Sequence, residues 1–222
     1  MQNRGEQDYI KAIYELTVER NQDLIKTTEL AEYFNYSDQS VNEMIKRLAL
    51  KELVIFYPYK GVELLEKGKK IAVKMIRAHR LWEVFLTQEL NIPWEDSHDD
   101  AEKLEHATSE EVLNKLDSYL GFPKYCMHGN PIPNKEGKIS PVYHNDLLKF
   151  RENDHLIIKR VLDVKDLIIF LNNENIKIEN KVKILKKDDF NQVLNLEVNK
   201  KEIVISYGTA KMIFVEKEVI WC

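Results

Sequence analysis

Residues 79–106, HRLWEVFLTQELNIPWEDSHDDAEKLEH, decide how the rest of this chain is organised. Asn91-Ile92-Pro93 divides the stretch into two predicted helices. On the first helix His79 and Glu83 are four residues apart, so they share a face. One face of the second helix carries four more polar side chains: His98, Glu102, Glu105 and His106. Imidazole and carboxylate groups in this pattern predict a site for Mn, Fe, Zn, Co or Ni. The alternative is a solvated charged face, but such faces normally carry Lys partners.

Length and charge restrict the classes of protein to consider. A chain of 222 residues can form two or three small domains. The net charge is −4, but residues 1–80 carry about +2 and the remainder about −6, so only the N-terminal part suits a polyanion. The two cysteines, Cys126 and Cys222, lie far apart, which favours a reducing cytoplasm over a disulfide framework. No apolar run has the length of a signal peptide or a membrane span.

The N-terminal pattern predicts a winged helix-turn-helix. Apolar spacing indicates a helix over residues 8–18, a second helix with Thr27 and Thr28 as candidate N-caps, and a third capped by Ser37. Residues 53–65 then resemble two short strands around a Pro-Tyr-Lys-Gly turn, which would form the wing. The alternative is a winged helix that binds protein instead of DNA.

The third helix would present its polar face to the major groove of DNA. Lys46 and Arg47 on that helix and Lys60 on the wing would meet phosphates, which position the protein without specifying sequence. The complete set of predicted DNA-binding residues is Thr27, Thr28, Ser37, Gln39, Ser40, Asn42, Glu43, Lys46, Arg47, Tyr59 and Lys60.

The remaining sequence predicts a helical middle and a β-rich end. The helix from Glu66 to about Gln88 is apolar on more than one side, as in a dimer interface. Residues 155–218 contain five short β-rich runs and one helix, Asp163–Leu171, which predict a small SH3-like β-barrel. The predicted divisions are a winged helix-turn-helix domain (1–72), a helical dimerisation and metal-binding domain (73–129), a linker (130–150) and a β domain (151–222). The fold class is therefore mainly α with small β parts.

In this order and spacing the motifs resemble the DtxR/MntR family of metal-dependent transcriptional repressors. The resemblance covers nearly the whole chain, and its C-terminal part is similar to the SH3-like, FeoA-type domain of that family. Its motifs are Asp8-Tyr9-Ile10, the winged helix, His79-Arg80-Leu81 with Glu83, His98, Glu102-x-x-Glu105-His106, Gly121-Phe122-Pro123 and Cys126-x-His128-Gly129-x-x-Ile132-Pro133.

The resemblance implies two groups of metal ligands. The primary, activating site would contain Asp8, Glu102, Glu105 and His106. The ancillary site would contain His79, Glu83, His98 and Asp163, and Cys126 and His128 are further candidate ligands.

The same resemblance implies which metal activates the protein. Iron-responsive members have soft Met and Cys ligands where this chain has Asp8 and Glu102, whereas manganese-responsive members have hard oxygens there. We therefore expect Mn²⁺, with Fe²⁺, Co²⁺, Zn²⁺ and Ni²⁺ as alternatives. Short manganese-sensing members have an acidic ligand where this chain has Lys11, so we expect one activating ion instead of a coupled pair.

The function implied is repression of metal-uptake genes by a cytoplasmic homodimer that binds a double-stranded DNA operator when it is loaded with metal. We expect no membrane association, no small organic substrate and no enzymatic activity. Two alternatives stay open from the residues alone: a helical metalloenzyme and a metal-buffering protein without DNA binding. A di-iron helical bundle requires Glu-x-x-His on two helices, which the ligand face of residues 98–106 does not contain.

Overall fold

The computed structural model describes residues 3–20 and 22–218, and the side chains of residues 18–20 are outside that description. Cys222 therefore lies outside the described residues. The helices are α1 (Arg4–Arg20), α2 (Thr27–Phe34), α3 (Asp38–Leu50), α4 (Glu66–Gln88), α5 (Trp94–Ala107), α6 (Glu110–Tyr119), α7 (Lys165–Asn173) and α8 (Tyr207–Ala210), with a 3₁₀ turn at Leu147–Lys149. The strands are β1 (Val54–Tyr57), β2 (Gly61–Leu64), β3 (His155–Val161), β4 (Lys181–Asp188), β5 (Val193–Val198), β6 (Lys201–Ser206) and β7 (Ile213–Lys217).

By proximity of their Cα atoms the residues divide into two compact units. Unit 1 comprises Met1–Trp82, Asp100–Pro123 and Ile132–Ile139, and unit 2 comprises Glu83–Asp99, Lys124–Pro131 and Ser140–Cys222. The division between the two units falls within α4 and within α5. It therefore does not test the domain boundaries inferred from the sequence, which stay predictions. Among the described residues, none of the helices combines the length and the apolar character needed to cross a membrane.

Helices α1 to α3 and the β1–β2 hairpin of unit 1 enclose one apolar core. Its fully buried members include Ile10 and Ile13 of α1 and Ile45 and Leu48 of α3. The hairpin is antiparallel, and Ile25 adds a further bridge to Val62 of β2. Because α1 and α3 pack in the same core, their positions are coupled, and the predicted winged helix-turn-helix is confirmed.

The N-terminal ends of these helices only partly follow the sequence predictions. Ser37 caps α3 as predicted, with its Oγ accepting from the backbone N–H of Ser40 at 3.2 Å. The prediction that Thr27 or Thr28 caps α2 is wrong, because both residues lie in the first turn of the helix and the N-cap position is Lys26. The Glu29 carboxylate accepts from the Lys26 N–H at 3.0 Å and satisfies this end of the helix instead.

The part of α4 that lies in unit 1 is joined to α6 by buried polar contacts. Arg77 of α4 donates to Asp117 of α6 at 2.6 Å and to Asn114 at 3.0 Å. The Trp82 indole donates to Thr108 at 2.7 Å, just before α6. Ser109 caps α6, with its side chain accepting from the Val112 N–H. These contacts join α4 to α6 and to the residue before the Ser109 cap.

The C-terminal part of unit 2 is a five-stranded antiparallel sheet with the strand order β6-β5-β4-β3-β7. Alternate residues of each strand face a core that includes Leu156, Val182 and Leu196, and α7 covers it with Leu167 and Leu171. The predicted SH3-like β domain is confirmed in fold. Helix α7 begins at Lys165 and not at the predicted Asp163, which stays in the loop after β3.

Candidate metal centres and DNA-binding surface

The first candidate metal centre lies in unit 1, where α1 meets α5. Asp8, Glu105 and His106 each offer a ligand atom, and these atoms lie within 4.8 Å of one another. His106 Nε2 is 2.9 Å from Asp8 Oδ1 and 3.7 Å from Glu105 Oε1. Two carboxylates and one imidazole therefore converge from two helices that are distant in sequence.

The side chain of Gln7 contacts the imidazole of His106 on the ring nitrogen that does not face Asp8. Its side-chain Oε1 lies 2.8 Å from His106 Nδ1, and Nε2 of the same ring faces Asp8. Gln7 was not among the residues predicted from sequence, where its only signal was its position beside Asp8 at the start of a predicted helix.

Glu105 is buried and held by two nitrogen groups. Its Oε2 is 2.8 Å from Lys11 Nζ and 2.6 Å from His79 Nδ1. Burial alone would raise the pKa of Glu105, but the hydrogen bond from His79 and the charge of Lys11 outweigh it, and the pKa lies below its ordinary value. Thus His79, which the resemblance assigns to the ancillary site, contacts a carboxylate of the primary set.

Glu102 lies one helical turn before Glu105, outside the group of atoms that converge within 4.8 Å. Its charge nevertheless acts on Asp8. Burial raises the pKa of Asp8, His106 opposes this effect, and the negative charge of Glu102 adds to the rise.

The second candidate centre lies in unit 2 and includes Glu83, His98 and Asp163, whose ligand atoms also lie within 4.8 Å of one another. His98 Nδ1 is 2.6 Å from Asp163 Oδ2. Burial would raise the pKa of Asp163, but its hydrogen bond with His98 and the charge of His128 lower it below the ordinary value. His79 lies one turn before Glu83 on α4.

Cys126 and His128 form a further group with Glu83, and all three are buried. His128 Nδ1 is 3.4 Å from Glu83 Oε1 and 3.9 Å from Cys126 Sγ. Burial would lower the pKa of His128, but Glu83 and Cys126 raise it well above its ordinary value. The Trp94 ring stacks on the His128 ring at 5.6 Å between centroids. A thiol, an imidazole and a carboxylate thus share one buried space.

The turn that carries Cys126 and His128 packs against β3 and is hydrogen-bonded to it. The His128 carbonyl accepts from the Val161 N–H at 2.9 Å. Gly129 has a φ of +77°, and a methyl group there would overlap the Lys159 carbonyl. The chain reaches Asp163 two residues after Val161, so one strand end places both His128 and Asp163.

The predicted DNA-binding residues mostly line one open groove in unit 1, between α3 and the wing. Eight of them lie in it: Thr27, Thr28, Gln39, Asn42, Glu43, Lys46, Tyr59 and Lys60. Ser37, Ser40 and Arg47 are exposed but do not line this groove. Gln39 donates to Glu43 at 3.2 Å, and Asn42 donates to the Asp38 carbonyl at 2.8 Å. Lys26, Phe56 and Pro58 also line the groove and were not predicted.

The donor groups of both centres fit divalent metal ions. Glu83 and Glu105 are almost completely buried, and a cation beside such carboxylates offsets the cost of removing their charge from water. The first centre offers only oxygen and imidazole nitrogen, whereas the second also offers a thiol. The first centre therefore suits harder ions, and the second accepts a wider range.

Comparison with known proteins assigns these features to a family. The profile described as "Iron dependent repressor, N-terminal DNA binding domain" matches residues 3–62. The profile "Iron dependent repressor, metal binding and dimerisation domain" matches residues 65–134, and the FeoA domain profile matches residues 146–217.

Individual relatives agree with these profiles. A solved manganese-dependent transcriptional repressor in complex with manganese superimposes with a TM-score of 0.89 at 30% identity, covering 96% of this chain and 100% of that one. An uncharacterised helix-turn-helix regulator of Methanocaldococcus jannaschii is 37% identical over 114 residues, which are 51% of this chain and 90% of the relative. The iron-dependent repressor IdeR of Mycobacterium tuberculosis is 34% identical over 125 residues, 56% of this chain and about half, 54%, of the relative. The chain therefore belongs to the DtxR/MntR family of metal-dependent transcriptional repressors.

Proposed function

We propose that this protein is a cytoplasmic, manganese-responsive repressor of metal-uptake genes that binds its operator as a homodimer. One observation carries the proposal: Asp8 of the winged-helix part meets Glu105 and His106 of α5. A metal-binding residue of the DNA-binding domain is thereby joined to residues within the part that matches the metal-binding and dimerisation domain.

The packing of unit 1 explains how the positions of the metal ligands can affect the DNA-binding surface. Asp8 is followed on α1 by Tyr9 and Ile10, which pack in the same core as Ile45 and Leu48 of α3. A divalent ion supplies the positive charge that holds the carboxylates of α1 and α5 together. When Asp8 is held, α1 orients α3, and the spacing of the two α3 helices in a dimer must match two half-sites. Metal and operator affinities are then reciprocally coupled.

The donor atoms support Mn²⁺ as the activating ion. Asp8, Glu102 and Glu105 supply hard oxygens and His106 supplies one nitrogen, without sulfur at the primary site. Sites of this composition hold Mn²⁺ well, although the intrinsic order of affinity still favours Zn²⁺ and Fe²⁺. Selection of Mn²⁺ therefore rests on ligand type together with the availability of each metal.

We assign an ancillary role to the centre in unit 2. Glu83, His98 and Asp163 would hold an ion there, and Cys126 and His128 lie close enough to contribute. Because Asp163 follows β3, an ion in this centre would tie the β domain to residues of α4 and α5 within unit 2. The ancillary centre would thus strengthen the response without being the trigger.

For DNA, we propose that Gln39 and Asn42 reach base edges while Lys46 and Lys60 contact phosphates. All four side chains line the groove between α3 and the wing. Amide side chains pair with adenine through two hydrogen bonds, whereas lysines contribute charge without sequence information. Family membership sets the metalloenzyme alternative aside, and the exposed groove argues against a buffer without DNA binding.

The test is operator retention with and without metal. Duplexes that bind the wild type at saturating Mn²⁺ are selected from a random library, and their binding is measured by fluorescence anisotropy in Mn²⁺ and in chelator. We expect tight binding only in Mn²⁺ and little response from Asp8→Asn. Asp100→Asn is the matched control, because Asp100 is an exposed acid of α5 whose charge is paired with Lys103. Equal wild-type affinity in Mn²⁺ and chelator would refute the proposal.

A further inference from the structure

An ion pair joins the first turn of α1 to the C-terminal end of α3. The ammonium group of Lys51 donates to both carboxylate oxygens of Glu6, at 2.6 and 2.8 Å. The side chain of Glu6 is 1% exposed and that of Lys51 is 44% exposed. Because a buried carboxylate must be compensated by a partner, this contact restricts where the two helix ends can lie. Both residues belong to unit 1.

The backbone on each side of this ion pair is also held in place. The N–H of Glu6 donates to the side chain of Asn3 at 2.9 Å, at the start of α1. Lys51 is the C-cap residue of α3, and its N–H donates to carbonyl groups in the last turn of that helix. The Lys51 carbonyl accepts from the ammonium group of Lys67 on α4 at 3.1 Å. A shift of α1 is therefore passed to the end of α3 and is not absorbed by a loose loop.

Glu6 and the candidate metal ligand Asp8 lie on opposite sides of α1. They are two residues apart, and a helix with 3.6 residues per turn places such residues about 200° apart around its axis. Asp8 meets the ligand groups of α5 on one side of the helix, and Glu6 meets Lys51 on the other. One turn of helix therefore connects the primary centre to the end of α3.

The ion pair and the apolar core restrain α3 in different ways. The core shared by α1 and α3 includes Ile10 and Ile45, and apolar contacts are non-directional, so packed helices can slide slightly against each other. An ammonium group that binds both oxygens of a carboxylate has a defined position and direction. Since Gln39, Asn42 and Lys46 lie on α3, fixing the end of this helix determines where these groove residues stand.

We propose that Glu6 and Lys51 are positioning residues that pass the effect of metal binding at Asp8 to α3. A bound ion fixes Asp8 against α5, which gives α1 one position, and the ion pair sets the matching position of α3. Without the pair an ion still binds, but α3 is no longer oriented for the operator. This role rests on the proposed function, because it concerns how the metal response of that function reaches DNA.

The experiment uses the full chain and the duplexes selected with the wild type. Operator affinity is measured by fluorescence anisotropy in Mn²⁺ and in chelator, and the ratio of the two affinities is the metal response. Equilibrium dialysis without DNA gives the Mn²⁺ affinity, and thermal melting in chelator shows whether each variant is folded. The variants are Lys51→Met, Lys51→Arg, Glu6→Gln and the double variant Glu6→Gln/Lys51→Met. The control is Lys69→Met, which removes an exposed ion pair that lies within α4 and joins no two helices.

We expect Lys51→Met and Glu6→Gln to reduce the metal response at least about fivefold, while the Mn²⁺ affinity without DNA stays within about twofold of the wild type. The double variant should lose no more than either single variant, because both changes remove the same contact. Lys51→Arg should keep the response, since a guanidinium group also binds both oxygens of a carboxylate. Lys69→Met should match the wild type.

An unchanged metal response in Lys51→Met would overturn this role and leave the proposed function standing. This includes equal losses of operator affinity in Mn²⁺ and in chelator, which would show that the pair only stabilises the fold. Equal losses of the metal response and of the Mn²⁺ affinity without DNA would also overturn it, because the pair would then support the primary centre itself. If Glu6→Gln does not fold, the variants of the more exposed Lys51 decide. A wild type without any metal response would refute the proposed function and this role together.

Discussion

The ammonium group of Lys11 lies 2.8 Å from Oε2 of Glu105, and both side chains are buried. His79 Nδ1 contacts the same oxygen at 2.6 Å. Burial would lower the pKa of Lys11, but the charges of Glu15 and Glu105 outweigh it and raise the pKa above its ordinary value. A fixed positive charge therefore occupies one side of Glu105, and the other oxygen faces His106.

Replacing Lys11 should destabilise the protein and change the number of bound ions. Lys11→Met leaves a buried carboxylate with one of its two partners, so we expect a loss of up to about 3–5 kcal/mol in the free energy of unfolding. Lys11→Glu should be destabilised without metal and bind one more Mn²⁺ per chain than the wild type, since a carboxylate can ligate where an ammonium cannot. Urea unfolding and equilibrium dialysis measure the two effects. An unchanged ion count in a folded Lys11→Glu protein would show that Lys11 does not limit the site to one ion.

Substitutions in the groove should separate specificity from affinity. Gln39→Ala and Asn42→Ala should each cost about 1–3 kcal/mol of discrimination between the operator and its single-base variants. Lys60→Ala should weaken binding to all duplexes alike and reduce the salt dependence of binding. Anisotropy titrations at several salt concentrations give both quantities, with exposed Lys115 of α6 replaced by Ala as the control. If Gln39→Ala leaves operator preference unchanged, the proposed register of α3 on DNA is wrong.

Glu102 should set the choice of metal. Glu102→Cys introduces a thiolate beside Asp8, so activation should shift toward Zn²⁺, Co²⁺ and Fe²⁺ and become weaker for Mn²⁺. It should also become more dependent on pH near neutrality, because the thiol must lose its proton to bind metal. Operator binding during Mn²⁺, Co²⁺ and Zn²⁺ titrations provides the measurement.

His79→Ala serves as the comparison for Glu102→Cys in the same titrations. It removes a hydrogen-bond partner of Glu105 and should weaken activation by every metal without changing their order. If His79→Ala changes the order in which the metals activate operator binding and Glu102→Cys does not, then the roles assigned to these two residues are the wrong way round.

Gly129→Ala should disturb the buried half of the ancillary centre. The new methyl group would overlap the Lys159 carbonyl and force the turn that carries Cys126 and His128 away from β3. We expect a weaker Co²⁺–thiolate band and a stability loss greater than the cost of the backbone strain alone. Gly121→Ala is a matched control, because Gly121 has a similar φ of +74° but no atom within 4 Å of its added methyl group. Equal stability losses and equal Co²⁺ spectra in the two variants would show that the contact with β3 is unimportant.

The sequence by itself determined the elements and their order. Local periodicity predicted α3 from Val41, Ile45 and Leu48, because a buried helix face repeats every three to four residues. The five short β-rich runs predicted within residues 155–218 correspond to the five strands β3 to β7, because β-branched and apolar residues favour strands. Local signals were less accurate at element ends, as with Thr27, because several polar residues in succession can each serve as a cap.

Only the tertiary structure decided which ligand candidates meet. Spacing along α5 shows that Glu102, Glu105 and His106 share a face. Only the folded chain shows that Asp8 lies close to Glu105 and His106 and that Glu102 is outside this group. It also pairs His79 with Glu105 and gives Glu83 two sets of neighbours. Periodicity describes one element at a time, whereas these contacts depend on how elements distant in sequence pack. The contacts of Gln7 with His106 and of Lys11 with Glu105 were therefore visible only in three dimensions.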